Sequence, residues 1–159
     1  MAGAPDDASA AVELEQYLRT RIPLTGAMQV RVREACRARV VLAAPLAPNI
    51  NHQRTAFGGS VAALATLAAW SLLRVRLRGD GRAANVVIRR STIDYAAAVT
   101  GELMAICEFS DEDRWSEAIA RLRARGRARL EVESRLEEPA GTAARFHGVF
   151  VLLDAGADH

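Results

Sequence analysis

One segment near the middle of the chain is apolar on every side if it is helical. It covers residues 61–73, follows the glycine pair Gly58-Gly59, and meets no charged residue before Arg74. Alanine and leucine dominate it, and both favour helix. A helix of this kind is buried in a protein core or in a membrane, and the run is shorter than the roughly 20 residues of a usual membrane span. The segment therefore predicts a central helix wrapped by the rest of the chain, first exposed to solvent at Arg74, Arg76 and Arg78.

The size and charge of the chain restrict what it can be. Its 159 residues, half of them hydrophobic, suit one globular domain, expected at residues 9–154 between a disordered tail at 1–8 and a C-terminal tail at 155–159. The net charge of +2 provides no field that would attract nucleic acid, so no nucleic-acid partner is expected. All 21 cationic side chains are arginine, so an anionic ligand must be bound by guanidinium or backbone N–H groups.

The cysteines and the N-terminus predict the compartment. Cys36 and Cys107 are too few and too widely separated for a metal motif. They are interpreted as small buried side chains in a reducing environment. The first residues lack the basic and apolar regions of a secretory signal, which predicts a cytoplasmic location. We expect no metal, no cofactor and no membrane association.

The spacing of apolar residues predicts an ordered series of helices and strands. Besides the central helix, helical spacing marks residues 9–21 and 111–125, the latter with Ser110 as its N-cap. Strands are predicted at residues 28–33, 38–44, 85–95, 102–109, 127–136 and 142–153, with a turn at 34–37.

The connections between these strands predict the architecture. Most are short turns, which predicts an antiparallel sheet. The last strand, 142–153, is apolar on both faces, so it is either central in the sheet or covered by a partner. The strand at 85–95 is also expected to be central, which would bury Asp94 and require a paired group beside it. A long apolar helix under such a sheet indicates an α+β fold of the hot-dog type.

Several short motifs resemble a known family. They are the Pro-Leu-Ala-Pro-Asn-Ile-Asn run at 45–51, Thr-Ala-Phe-Gly-Gly-Ser at 55–60, Ile-Asp-Tyr at 93–95 and Ile-Pro-Leu at 22–24. Together they resemble the thioesterase family found at the C-terminal end of YiiD-type proteins. The resemblance spans roughly residues 14–153. It implies a hot-dog fold that acts on acyl thioesters of coenzyme A or acyl carrier protein, with the coenzyme entering only as part of the substrate.

The resemblance also indicates where the site would lie. Asn51 falls at the asparagine position of hot-dog thioesterases and Gly58-Gly59 at their glycine pair. Phe57 stands at their histidine position and Thr66 at their acidic position. The predicted catalytic residues are therefore Asn51, Gly58 and Thr66. The predicted substrate-binding residues are Asn49, Phe57, Gly59, Ser60, Asp94 and Tyr95.

Each of these residues also has a purely structural interpretation. N–H groups at the start of a helix polarise a carbonyl, but two glycines also permit a tight turn. The Asn51 side chain orients a carbonyl or water, or it completes an Asx turn. The Thr66 hydroxyl positions the attacking water, or it bonds back to its own helix. Asp94 is a paired structural residue or, as a minority interpretation, a general base.

Three functions and two assemblies remain open from the sequence. Acyl-thioester hydrolysis is the leading function, and a non-catalytic acyl-binding module is the alternative favoured by Phe57 and Thr66. Dehydratase or isomerase action needs a histidine and acid pair that cannot be assembled near Asn51. Arg89-Arg90 either contacts coenzyme A phosphates or forms a solvated face. The apolar last strand predicts a homodimer, or a dimer of dimers, with sheets meeting edge to edge and the site at the interface.

Overall fold

A computed structural model describes residues 7–156 of the chain. Most of the two predicted tails, 1–6 and 157–159, therefore lies outside the described residues. The helices are α1 (Asp7–Arg21), α2 (Pro23–Ala27), α3 (Gly58–Gly79) and α4 (Glu112–Arg125), with a short 3-10 turn at Ala47–Asn49. The strands are β1 (Arg31–Ala35), β2 (Arg39–Ala44), β3 (Ala84–Tyr95), β4 (Leu103–Glu108), β5 (Arg127–Glu138) and β6 (Gly141–Asp154).

The six strands form one antiparallel sheet in the order β1-β2-β4-β5-β6-β3. β6 lies between β5 and β3, so it has the central position that was one of the two predicted for it. The expected α+β hot-dog architecture is confirmed. The central position expected for β3 is wrong, because this 12-residue strand is at the edge of the sheet and pairs only with β6.

Helix α3 lies across the sheet and contacts β2, β3, β4, β5 and β6. Its 22 residues begin at Gly58, earlier than the apolar run itself, so by length and composition alone it is long enough to cross a membrane. It packs instead against five strands of its own chain, and ten of its residues are fully buried, as predicted for a core helix. One of the ten is Arg76, which the sequence had placed in solvent.

The N-terminal boundaries differ from those predicted. α1 begins at Asp7, two residues before the helix predicted from residue 9. The short helix α2 was not predicted, and β1 begins only at Arg31 because Met28 and Gln29 form a turn in which Gln29 has a positive φ of 57°. The strand was predicted to start too early, at residue 28, because the turn after α2 also alternates polar and apolar residues.

The remaining boundaries differ by a few residues. The β1–β2 hairpin turns at residues 37–38 rather than 34–37. Asp111, not Ser110, caps α4, and its side chain accepts a hydrogen bond of 2.9 Å from the Arg114 N–H. β5 and β6 extend further than predicted and leave a two-residue loop at Pro139-Ala140.

A polar cluster closes the C-terminal end of α3. Arg76 is 0% exposed, and it donates to the carbonyl oxygens of Arg37 (2.9 Å) and Phe109 (3.1 Å) and to the Glu112 carboxylate. Its guanidinium lies 4.9 Å from the Phe109 ring centroid and 4.7 Å from that of Trp115. Hydrogen bonds from Arg76 and then from Arg37 hold the pKa of Glu112 below its ordinary value. Arg76 thus joins α3, α4 and the β1–β2 hairpin.

Candidate functional site

The first turn of α3 carries backbone donors that have no acceptor. Phe57 occupies the N-cap position and makes no side-chain capping bond. Within residues 7–156, no acceptor lies against the N–H groups of Gly58, Gly59 or Ser60. The carbonyl oxygen of Ala56, which the Ser60 N–H would ordinarily reach, instead accepts from the Asn51 side chain at 3.3 Å. Unpaired N–H groups at a helix start bind anions and polarised carbonyls.

Backbone contacts fix the direction of this helix start. The Phe57 N–H donates to the Asn49 carbonyl oxygen at 2.7 Å, and the Ala56 N–H donates to that of Val99 at 2.8 Å. Asn49 is itself buried, and its side-chain amide donates to the carbonyl oxygens of Pro45 (2.8 Å) and Met28 (3.0 Å). Asn49 therefore anchors the loop from inside the protein, and its side chain offers no exposed contact for a substrate.

The Asn51 side chain is engaged in its own loop. Its oxygen accepts from the Gln53 N–H (2.8 Å) and the Thr55 N–H (3.1 Å), and its amide donates to the Thr55 hydroxyl (2.9 Å) and to the Ala56 carbonyl oxygen. This is the Asx-turn geometry weighed above. Arg54 takes a positive φ of 64° in the same loop. The proposed contact of Asn51 with a carbonyl or water stays a prediction and requires some of these bonds to be exchanged.

Two exposed aromatic side chains flank the glycine pair. The Tyr95 hydroxyl donates to the Gly58 carbonyl oxygen at 3.0 Å, and a methyl group added at Gly58 would lie 3.6 Å from the Tyr95 ring. A methyl group at Gly59 would lie 2.3 Å from Phe57, so the ring of Phe57 covers Gly59 closely. Phe57 and Tyr95 are 56% and 53% exposed. Glycine at 59 is needed for this close approach, whereas 58 has room for a small side chain.

An open cavity of about 330 Å³ adjoins the helix start. It is lined by Ala56, Gly58, Val61, Tyr95 and the segment 96–99. Ligand sites are concave and largely apolar, with a few polar groups that fix orientation, and here those polar groups come from the backbone and Tyr95. Segment 96–99 was not among the predicted site residues, and its only signal in the sequence is a row of alanines directly after the Ile-Asp-Tyr motif.

Neither Thr66 nor Asp94 lines this cavity. The Thr66 hydroxyl donates to the Ala62 carbonyl oxygen at 2.8 Å, and Thr66 lies eight residues beyond Gly58, about 12 Å along the helix axis. Asp94 is exposed on the edge strand and makes no ion pair within the described residues, so the expected burial of its carboxylate is wrong. The reason is the edge position of β3. Ser60 is half-buried in the first turn.

The titratable groups of the core offer no nucleophile. Burial raises the pKa of the Cys107 thiol to about 12, and Cys36 is only half-buried, so the burial expected of Cys36 is wrong. Within the part of the chain that the structure describes, no three His, Cys, Asp or Glu side chains are grouped as metal ligands. The polar groups at the cavity are backbone groups at the start of α3 and the Tyr95 hydroxyl.

The fold and this cavity define a hot-dog protein with an open site at the start of its central helix. Several solved structures have the same fold. A protein of unknown function from Chlorobaculum tepidum is 27% identical, with a TM-score of 0.87 over 93% of this chain and 96% of that one. A putative thioesterase from Shewanella oneidensis is 25% identical, with a TM-score of 0.82 over 92% and 99%. A thioesterase from Haemophilus influenzae, 10% identical with a TM-score of 0.71 over 94% of each chain, shares the fold.

The sequence also matches the model of a known protein family. Residues 11–154 match the family described as "Putative thioesterase (yiiD_Cterm)". Because that match covers nearly the whole chain, the protein belongs to this thioesterase family. The resemblance drawn from the short motifs is confirmed.

Proposed function

We propose that this protein hydrolyses acyl thioesters of coenzyme A or acyl carrier protein at the start of α3. The observation that carries the proposal is the open cavity lined by Gly58, at a helix start where the N–H groups of Gly58, Gly59 and Ser60 have no acceptor within the described residues. The chain that carries this site belongs to a thioesterase family. Such donors stabilise negative charge on a thioester oxygen, and removal of one comparable donor usually costs about 2.7–4 kcal/mol of transition-state stabilisation.

The proposed reaction needs few protein groups. The thioester carbonyl accepts hydrogen bonds from the Gly58 and Gly59 N–H groups, and water attacks its carbon. The carbon–sulfur bond then breaks, the sulfur takes up a proton, and a free carboxylic acid and a thiol are released. The substrate brings its own coenzyme A or carrier, and the proposed reaction uses no further cofactor. Phe57 and Tyr95 would hold the acyl group beside the glycines.

The distance from Gly58 to Thr66 bears on the predicted role of Thr66. A carbonyl held at the start of α3 is about 12 Å from Thr66 of the same protomer, beyond one hydrogen bond. We therefore propose that Thr66 of one copy faces the helix start of a second copy across a homodimer. The edge strand β3 supports such a dimer, because it is 12 residues long and exposes Val87, Ile88 and Tyr95. Long apolar edge strands readily pair with a second chain.

We expect the protein to be a dimer, or a dimer of dimers, at micromolar concentration. Light scattering coupled to size exclusion should give twice or four times the 17.1 kDa chain mass. Val87→Glu places a charge on the proposed interface and should shift the mass towards 17.1 kDa, whereas Val12→Glu, on exposed α1, should not. A wild-type protein that is monomeric at micromolar concentration would contradict the proposed dimer.

We expect Thr66→Val to lower turnover about five- to tenfold, the usual worth of one hydrogen bond, with little change in melting temperature. Valine keeps the shape of threonine, and the lost hydroxyl donates only to its own helix. Thiol release and thermal unfolding should be measured on the same samples. Unchanged turnover would contradict a catalytic role for Thr66, and its hydroxyl would then have only the structural hydrogen bond to the Ala62 carbonyl oxygen.

The alternative is an acyl-binding module without hydrolysis. It is favoured by the engagement of all Asn51 side-chain polar atoms in the loop and by the phenylalanine at position 57. Incubation with coenzyme A thioesters of short, medium and long acyl chains, with thiol release followed, separates the two functions. Hydrolysis requires sustained multiple turnovers on at least one chain length. Saturable binding of the same esters without thiol release would establish the binding module instead.

A further inference from the structure

Five arginines converge on one cleft on the side of the sheet that faces away from α3. The cleft has a volume of about 400 Å³ and lies between α4, β3, β5 and β6. Its lining consists of Arg89, Arg121, Arg125, Arg127, Ala128, Arg129, Val151 and Leu153. Arg127 and Arg129 alternate with buried Ala128 and Leu130 on β5, so both point to the outer face. Nothing in the proposed reaction uses this place.

Four of the five arginines form no ion pair within residues 7–156. The fifth, Arg121, has the carboxylate of Glu117 at 3.8 Å, and both side chains are largely exposed. On β5 the next carboxylate on the same face, Glu131, is directed at His147 at 3.2 Å. The other clustered arginines of this protein behave differently, since Arg37, Arg39 and Arg135 each contact two carboxylates.

Several positive charges share this cleft, and the described chain does little to offset them. Arg121 and Arg125 are four residues apart on α4, and like charges at this spacing repel each other. The C-terminal end of the helix partly offsets this for Arg125, but no such field assists Arg127 and Arg129 on β5. Arg89 is the extra residue of a β-bulge between Ile88 and Arg90. A bulge redirects a side chain at the cost of local pairing, and here it adds a further positive charge to the cleft.

We propose that this arginine cleft binds the phosphate groups of coenzyme A, and hence that coenzyme A rather than acyl carrier protein carries the acyl group. Guanidinium groups bind phosphate oxygens in pairs of hydrogen bonds. The cleft is concave, and Val151 and Leu153 provide an apolar floor for a nucleoside, whereas an acidic helix would need a broad open surface. The choice of coenzyme A as the source of the phosphates rests on the proposed function.

The position of the cleft fits a ligand with a long arm. Arg89 precedes Tyr95 by six residues on β3, which is about 20 Å along an extended strand. A ligand that occupies both the cleft and the start of α3 needs an extended linker between its phosphates and its reactive group, and an acyl-coenzyme A has this shape.

The test is calorimetric binding of free coenzyme A, which requires no hydrolysis. The cleft variant is Arg127→Gln/Arg129→Gln. The control, Arg123→Gln/Arg145→Gln, removes the same charge from exposed arginines outside the cleft that have no carboxylate partner within the described chain. We expect the cleft variant to weaken binding about tenfold or more, as for the loss of charge-assisted bonds. The control should bind like wild type.

Truncated ligands identify the group that is recognised. Adenosine 3′,5′-bisphosphate should bind to wild type and weaken in the cleft variant, whereas pantetheine should bind both proteins equally. Higher salt should weaken coenzyme A binding to wild type more steeply than to the cleft variant. Equal weakening in the cleft and control variants overturns the proposal, as does the absence of binding. Loss of acyl carrier protein binding in the cleft variant, with coenzyme A unaffected, overturns it in favour of a protein partner.

The outcome is separable from that of the proposed function. If the cleft variant loses coenzyme A binding but wild type releases no thiol from any ester, the binding site is supported and the proposed hydrolysis is contradicted. If wild type hydrolyses acyl-coenzyme A and the cleft variant has the same KM, hydrolysis is supported and the proposed binding site is contradicted. Melting temperatures of both double variants should match wild type, because all four substituted side chains are exposed.

Discussion

Arg76→Ala is expected to lower the free energy of unfolding by about 3–5 kcal/mol, the range for a large buried side chain whose loss also leaves buried acceptors unpaired. Truncation opens a space between the rings of Phe109 and Trp115 and removes the donors to the Arg37 and Phe109 carbonyl oxygens. In a domain of this size the melting temperature should fall by roughly 10 °C.

Arg78→Ala is the matched control, two residues further along the same helix. Its side chain is 55% exposed and pairs with the exposed Glu13 at 3.0 Å. The loss of such a surface pair costs at most about 1 kcal/mol. Thermal and urea unfolding of both variants would measure the difference. Equal losses of stability would show that Arg76 is not held as described.

The same cluster predicts how stability depends on pH. The pKa of Glu112 is lowered in the folded protein, chiefly by its hydrogen bond from Arg76. The stability that it contributes is therefore present above its ordinary pKa of 4.5 and is lost as the pH falls through the lowered value. Arg76→Met, which keeps the volume, should show a smaller loss of stability over that acidic interval than wild type. This comparison separates the charge of Arg76 from its packing.

Gly58→Pro is expected to lower kcat/KM on the order of a hundredfold relative to Gly58→Ala. Proline removes the N–H group at the first residue of α3, a position where helices accept it. Phe57 already has φ −63° and ψ 131°, the extended conformation that a following proline requires. Gly58→Ala keeps the N–H group and adds only a methyl group at ordinary contact distance from Tyr95. The ratio between the two variants therefore reports the donor.

Melting temperatures decide whether this ratio is interpretable. Both variants should unfold close to the wild-type temperature, because neither substitution breaks a bond made by the Gly58 N–H group. Steady-state thiol release should be measured on the best wild-type substrate. Similar kcat/KM values for the proline and alanine variants would place the carbonyl away from Gly58.

The fold was predictable because its strongest signals are local. The apolar segment 61–73, the two-faced apolar strand 142–153 and short connections were enough to indicate an antiparallel sheet around a central helix. The order of strands in the sheet depends on contacts between distant residues, and no local pattern marks β3 as an edge. The misplacement of Asp94 followed from that one error. Helix α2 was missed because five residues are too few for periodicity to register.

The spacing of the three arginines at the end of α3 could have predicted that Arg76 is buried, although the expectation was that it would be exposed. Arg74 and Arg78 are four residues apart and share a helix face, whereas Arg76 lies two residues from each and points to the other side. The position of the site at the start of the central helix was predictable, but the contacts between its side chains were not. Gly58-Gly59 marked the start of the helix, while the bond from Tyr95 to Gly58 joins residues that are 37 positions apart. The sequence left two interpretations of Asn51 open, a contact with the substrate or water and an Asx turn within its own loop. The hydrogen bonds seen in the loop match the Asx turn.

The site at the start of α3 is tested most directly by a crystal structure with an acyl-coenzyme A analogue in which a methylene group separates the sulfur from the carbonyl. Such a ketone keeps the carbonyl oxygen and resists hydrolysis. We predict that this oxygen lies about 2.7–3.1 Å from the backbone nitrogen of Gly58 or Gly59. A ligand bound elsewhere, with no contact to either N–H group, would contradict the proposed site.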